Sequence, residues 1–128
     1  WANQYEALDR LSPALREMLM PLSAVHKSFD LEAVHPVVRT HPETGRKALY
    51  VNGGFTQHFE GMSVAESKPL LEYLVAQGSQ PDLTMRHSWS VGDIVMWDNR
   101  CVMHYAVHDY ADLGREMHRV TVQGEQPI

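Results

Sequence analysis

The feature that most constrains this chain is a series of short, closely spaced segments in its second half: "LTMRHSW", "DIVMWD", "CVMHYAV" and "EMHRVTVQG". Their β-branched, aromatic and methionine residues suit strands, on which successive side chains point to opposite faces. Turn signals separate them at Val91-Gly92-Asp93, Asp98-Asn99 and Ala111 to Gly114. One clear helix precedes them. "SVAESKPLLEYLVAQGS" has the capping-box pair Ser63 and Glu66, an apolar face of Leu70, Leu71, Leu74 and Val75, and a stop at Gly78. Many short strands beside one amphipathic helix predict a mainly β fold with flanking helices, a jelly roll or barrel with the helix outside.

The first half adds smaller elements. Trp1, Tyr5, Leu8, Leu11, Leu15 and Leu19 recur at helical spacing, and Ser12-Pro13 marks the cap and first turn of a second helix running to about Met20. "HPETGRK" supplies a tight turn between "PVVRT" and "ALYVN", which predicts a hairpin. "GGFTQHFEG" reads as a short strand after a Gly-Gly bend. The first residues already lie inside a helical pattern and no initiator Met is present, so the expectation is a piece of a longer polypeptide.

Charge and composition narrow the partners. A net charge of −5 offers no basic field for nucleic acid or an anionic membrane, which leaves a small molecule as the expected partner. The single cysteine, Cys101, excludes an internal disulfide and a Cys-rich zinc knuckle, and it fits a reducing cytoplasm. No apolar run is long enough to span a membrane.

The chemistry concentrates in "WDNRCVMHYAVHDYADLGREMHRV". His104 and His108 would share a face only on a helix, where they could hold zinc, and the surrounding β-formers argue against one. On a strand His104 shares a face with Val102 and Ala106, where a lone histidine is by default a hydrogen-bonded core residue. Arg115, Met117, Arg119 and Thr121 would likewise share one face, with the two guanidiniums about 13 Å apart at ~3.3 Å per residue. Two like charges on one face call for anions, and a guanidinium grips a carboxylate or sulfonate through two parallel bonds. The plain alternative is a solvated sheet edge. Trp89 and Trp97 read as core aromatics, Asp93 and Asp98 as turn residues, and the remaining histidines, among them His26, His35 and His41, as surface or locally satisfied groups. Cys101 lies too far round a strand from His104 to be paired with it as a nucleophile.

Taken in order, "HPVVRTHPETGRKALYVNGGFT", "WDNR", "MHYA", "DY" and "REMHRV" resemble the iron(II)/2-oxoglutarate dioxygenases of the taurine dioxygenase and 2,4-dichlorophenoxyacetate dioxygenase type. The match runs over nearly the whole chain and is to that family's C-terminal half. The resemblance implies a double-stranded β-helix, or jelly roll, with residues 1–128 forming the C-terminal part of one dioxygenase domain. It implies Fe(II) with 2-oxoglutarate as co-substrate, His104 as the distal iron ligand, Arg115 on the far carboxylate of 2-oxoglutarate, Arg119 on the acidic group of the substrate, and Phe55 lining the substrate pocket. Imidazole and carboxylate suit Fe(II), and a facial triad leaves positions for the keto acid and O2. The implied reaction hydroxylates a small anionic substrate and releases succinate and CO2.

Within that family "MHYA", "MHRV" and "GGFT" look closer to taurine dioxygenase, so a taurine-like sulfonate is the first substrate expectation, and aryloxyalkanoates or alkyl sulfates come second. A non-catalytic β-helix binding module is the rival from another class. Two departures stand out. The family's first iron ligands form a His-x-Asp pair upstream, and no His-x-Asp occurs here, His108-Asp109 being the nearest look-alike. The join from "AVHKSFD" to "LEAVHPVV" is also shorter than the mobile segment that relatives carry over the site. Half a β-helix would expose sheet edges, which makes self-association into a homo-oligomer a further expectation.

Overall fold

A computed structural model describes residues 1–111 and 114–128. Strand β1 (Ala2–Asn3) leads into helix α1 (Gln4–Asp9), and helix α2 (Pro13–Leu19) follows. Trp1 thus precedes the first helix rather than belonging to it. The reason is local: the Asn3 side chain accepts from the N–H groups of Tyr5 and Glu6, satisfying two donors that a helix start leaves open. Ser12 caps α2 in the same way through Leu15 N–H, with Pro13 in the first turn as its sequence implies.

Strands β2 (Ser23–Ser28) and β3 (Leu31–Pro36) form an antiparallel hairpin, and β6 (Thr56–Phe59) pairs with the other edge of β2. The short join seen in the sequence is the two-residue turn of this hairpin, and Phe29 takes a left-handed φ of 52° to close it. Strands β4 (Val38–Thr40) and β5 (Lys47–Leu49) make the expected second hairpin around "HPETGR". Gly45, at φ 69°, supplies the left-handed residue of that turn.

Helix α3 (Val64–Gly78) begins at the capping box: Ser63 Oγ accepts from Glu66 N–H while the Glu66 carboxylate accepts from Ser63 N–H. Its Ser67 hydroxyl accepts from Phe59 N–H and ties the helix to β6. The helix ends at Gly78 as expected, but for a different reason than a left-handed cap. Gln4 reaches across to donate to the Gly78 carbonyl at 2.9 Å, and a Cβ on Gly78 would sit 2.8 Å from Gln4 Oε1 and 3.1 Å from Met103 Cε. Close packing, not φ, favours glycine there. A short 3-10 turn (Pro81–Leu83) follows the helix.

One core unites Ala7, Leu8, Leu11, Leu19, Ala24, Val37, Val38, Leu49, Val51, Phe59, Leu71, Leu74 and Leu83. Beyond it the architecture departs from the sequence pattern. Of the strands expected after α3, only Val102–Met103 forms one: β7, paired antiparallel with β1. The other described residues of 85–128 carry strand-type sequence without a ladder, and Val91, Ile94, Met96, Val120 and Val122 face solvent. A strand is stable only when its N–H and C=O groups meet a partner, so side-chain pattern alone leaves such segments extended and unpaired. Among the described residues the result is three small sheets with flanking helices.

Candidate functional site

His104 directly follows β7, so its position is set by the β1 pairing (Ala2 with Met103, Asn3 with Val102) and by the Gln4 N–H bond to the Cys101 carbonyl, 3.0 Å. The imidazole packs 4.9 Å from the Trp97 ring, which in turn meets Trp1 at 5.4 Å. Burial against these rings lowers the His104 pKa, and the charges of Arg119 and of the chain's amino group lower it further. The lowered pKa favours the uncharged ring, whose lone pair suits a metal. Residues 104–111 form no helix, which removes the zinc reading of His104 with His108.

The other residues singled out from the sequence lie in different surroundings. Arg119 is close enough for its charge to act on His104. Arg115 stacks its guanidinium 5.2 Å over the Tyr110 ring, whose hydroxyl meets His108 Nδ1 at 3.1 Å. Phe55 belongs to the turn before β6, half exposed, and its carbonyl accepts from Lys27 N–H at 2.8 Å. The structure therefore relates Arg119 to His104 but places Phe55 on the β2–β6 sheet. Because residues 114–122 form no strand, the shared face expected for Arg115 and Arg119 is not built from β geometry.

A network missed in the sequence holds the turn that precedes β7. His41 Nδ1 accepts from the N–H groups of Glu43 and Thr44, so its proton is assigned to Nε2, which donates to Asp98 at 3.1 Å. Arg100 grips the same carboxylate through Nε and Nη2 and reaches Glu43 at 2.9 Å through Nη1. These bonds hold Asp98 well below the usual carboxylate range, with the Arg100 bond the largest cause. His41 and Asp98 are 57 residues apart, and only the β4–β5 turn brings them together. Sequence spacing offers no signal for that.

Cys101 completes a group with His41 and Asp98 whose ligand atoms lie within 4.8 Å of one another. It does not suit a metal ion: the Asp98 carboxylate is occupied by a guanidinium, both His41 nitrogens are engaged, and burial pushes the Cys101 thiol up toward its neutral form. The sequence also holds two His-x-Glu triplets, His41 to Glu43 and His58 to Glu60. In the first, the imidazole turns to Asp98 and the carboxylate to Arg100; in the second, His58 Nδ1 pairs with the Phe59 carbonyl. Neither forms a ligand pair with His104. Among the described residues, iron would find one fitting ligand, the neutral imidazole of His104, and that is too few to hold it.

Comparison with known proteins agrees with these motifs. Residues 1–121 match the family model described as taurine catabolism dioxygenase TauD, TfdA family. The chain is 43% identical over 124 residues to an alkylsulfatase of Acinetobacter baylyi, covering 97% of this chain and 39% of that protein. It is 35% identical to an alpha-ketoglutarate-dependent sulfate ester dioxygenase of Pseudomonas putida, over 153 aligned positions that cover all of this chain and 50% of the relative. A crystal structure of a taurine dioxygenase from Burkholderia xenovorans superposes with a TM-score of 0.76 at 39% identity, covering 79% of this chain and 37% of that one. The chain thus spans half or less of the length of these relatives. With the motifs, the match over residues 1–121 and the shared fold in agreement, the chain belongs to the TauD/TfdA dioxygenase family.

Proposed function

We propose that this chain is the C-terminal part of an iron(II)- and 2-oxoglutarate-dependent dioxygenase domain of jelly-roll type, acting on a small organosulfur anion. The observation that carries the reading is the environment of His104: an imidazole of lowered pKa beside Trp97, on the residue that follows β7, with the charge of Arg119 nearby. His104 would be one iron ligand. The remaining ligands, the His-x-Asp pair of the family pattern, would come from sequence outside these 128 residues. Bound iron with 2-oxoglutarate and O2 would supply the oxidising power to hydroxylate a C–H bond, with succinate and CO2 as co-products.

The chain's own residues supply binding and orientation. Arg119 offers a guanidinium to the acidic group of the substrate, and Arg115 one to the far carboxylate of 2-oxoglutarate. Phe55 would line the apolar side of the substrate pocket. The β1–β7 pairing and the Asp98 clamp fix where the backbone delivers His104, while Trp97 packs against its ring. An alkylsulfonate such as taurine and an alkyl sulfate present the same anionic group to Arg119. The similarity to the sulfate ester dioxygenase of Pseudomonas putida supports the sulfate ester as much as the sulfonate.

The test is oxygen uptake by the complete polypeptide that carries these residues, with Fe(II), 2-oxoglutarate and either 2-aminoethanesulfonate or a primary alkyl sulfate. Succinate release coupled to one of these substrates is expected. His104→Ala should abolish it, and Arg119→Gln should raise KM at least tenfold. A complete polypeptide that takes up no oxygen with either substrate overturns the reading and leaves the non-catalytic binding module.

A further inference from the structure

Away from His104, three strands and a loop gather four polar side chains into one group, two of them buried and two partly buried. His26 on β2, His35 on β3 and Tyr50 after β5 form a triangle of rings, with centroids 5.2 Å apart for the two imidazoles and 5.8 Å from each imidazole to Tyr50. The Arg39 guanidinium of β4 lies 5.3 Å over the same Tyr50 ring. His26 is 9% exposed and Arg39 only 4%. Among the described residues, His26 Nε2, His35 Nδ1 and Arg39 Nε are buried and have no hydrogen-bond partner. Each such group costs free energy on the order of 1–3 kcal/mol, so three around one tyrosine call for an explanation.

The missing partner can be typed by its chemistry. Thr56 Oγ1 already accepts from Asn52 N–H, and its own proton is assigned to His26 Nδ1, 3.4 Å away. His26 therefore carries its hydrogen on Nε2, the unpartnered atom. Arg39 Nε is a donor in every state. His35 Nδ1 becomes a third donor in one of its two tautomers. Two fixed donors and one adaptable donor require an acceptor, and the guanidinium selects a negative one. The charge of His35 acts on His26 and that of Arg39 on His35, both cationic, which weighs against a metal ion. Glu125 pairs with Arg39 Nη2, leaving Nε free.

We propose that His26, His35 and Arg39 form a subsite for a small oxyanion, seated against the Tyr50 ring. It is separate from the His104 group and does not depend on iron or on the proposed reaction. The anion would take hydrogen bonds from His26 Nε2–H and Arg39 Nε–H and set the tautomer of His35 so that it donates as well. A bound anion also favours the charged form of either imidazole, which burial and the neighbouring cations now oppose.

The experiment uses the 128-residue chain, followed by NMR of its histidine side chains. Sodium sulfate is exchanged for sodium chloride at constant ionic strength and pH 7, so that general salt effects cancel. Saturable shifts at His26 and His35 are expected, with no matching change at the exposed His108 and His118. The acid titration of His26 should move up from about 4 by one unit or more at saturating sulfate, equivalent to tenfold tighter binding to the charged ring. His26→Phe should weaken sulfate at least tenfold. If that variant fails to fold, Thr56→Val releases the tautomer and should weaken sulfate about threefold. Sulfate binding without acetate binding assigns a tetrahedral anion, and equal binding of both assigns oxyanions in general. A linear response shared by all histidines, or an affinity unchanged in the folded variants, overturns the site.

Discussion

Residues 2–83 and residues 84–128 obey the same chemistry with opposite outcomes. In the first region every strand finds a ladder within the chain or at β7, and a single core reaches from Ala7 to Leu83. In the second, Cys101 is the only hydrophobic residue buried among those described, and Val120 and Val122 are 96% and 91% exposed. The two regions do not differ in apolar content so much as in available partners. Strand propensity specifies which faces a segment can present; it cannot create the neighbour that makes those faces useful.

The contrast can be tested most forcefully in the core. Phe59→Ala should cost about 3 to 5 kcal/mol in urea unfolding, because Phe59 is fully buried between β2 and α3, whereas Val122→Ala should cost less than about 0.5 kcal/mol. Similar losses at the two positions would mean that the second region packs in solution, and the comparison would fail.

A smaller effect sharpens the picture from the polar side. Burial, then the charge of His35, lowers His26 to about 4 from its ordinary 6.5. Between those values the unfolded chain takes a proton that the folded chain refuses, so stability is complete above pH 6.5 and declines as pH falls toward 4. The expected loss is about 2 kcal/mol, less than the full shift would give because part of the ring's charge is screened by solvent. His26→Gln should flatten that slope in pH-dependent denaturation. Asp98 contributes in a separate window: its pKa is depressed, chiefly by the Arg100 bond, so its stabilisation is lost only below about pH 4.

The smallest expected effect is at the start of α3. Ser63→Ala removes one half of the capping box and should destabilise by about 1 kcal/mol. Amide exchange should rise first at Glu66 and Ser67, while β7, which makes no use of that cap, keeps its protection. An equal rise at Met103 would show that the two regions open together.

How much of this was legible in the sequence follows from the range of each signal. The Ser63 to Glu66 box, Ser12-Pro13 and the Gly45 turn are local, and all three appear where the sequence puts them. Trp1 was misassigned to a helix because periodicity registers spacing but not the Asn3 cap that sets the boundary. The strand pattern of 84–122 is legible as composition, while pairing depends on atoms outside the segment. His26, His35 and His41 read singly as unremarkable surface groups, because their meaning lies in cross-strand register and in a contact 57 residues away. His104, Arg115, Arg119 and Phe55 are singled out together only by motif resemblance, and no local rule of spacing selects all four.

Gly78 carries a consequence of another kind. Helix α1, helix α3 and the β1–β7 pair meet where the Gln4 amide and the Met103 methyl close over it, so a Cβ there would press on the ends of two side chains. In a library randomised at every position and selected for folded chains, residue 78 should therefore co-vary with residues 4 and 103, a larger side chain at 78 surviving only beside smaller ones there, while the exposed Ser79 varies independently. One absent methyl group thus couples the choice of side chain on α1 and on β7 to the end of α3.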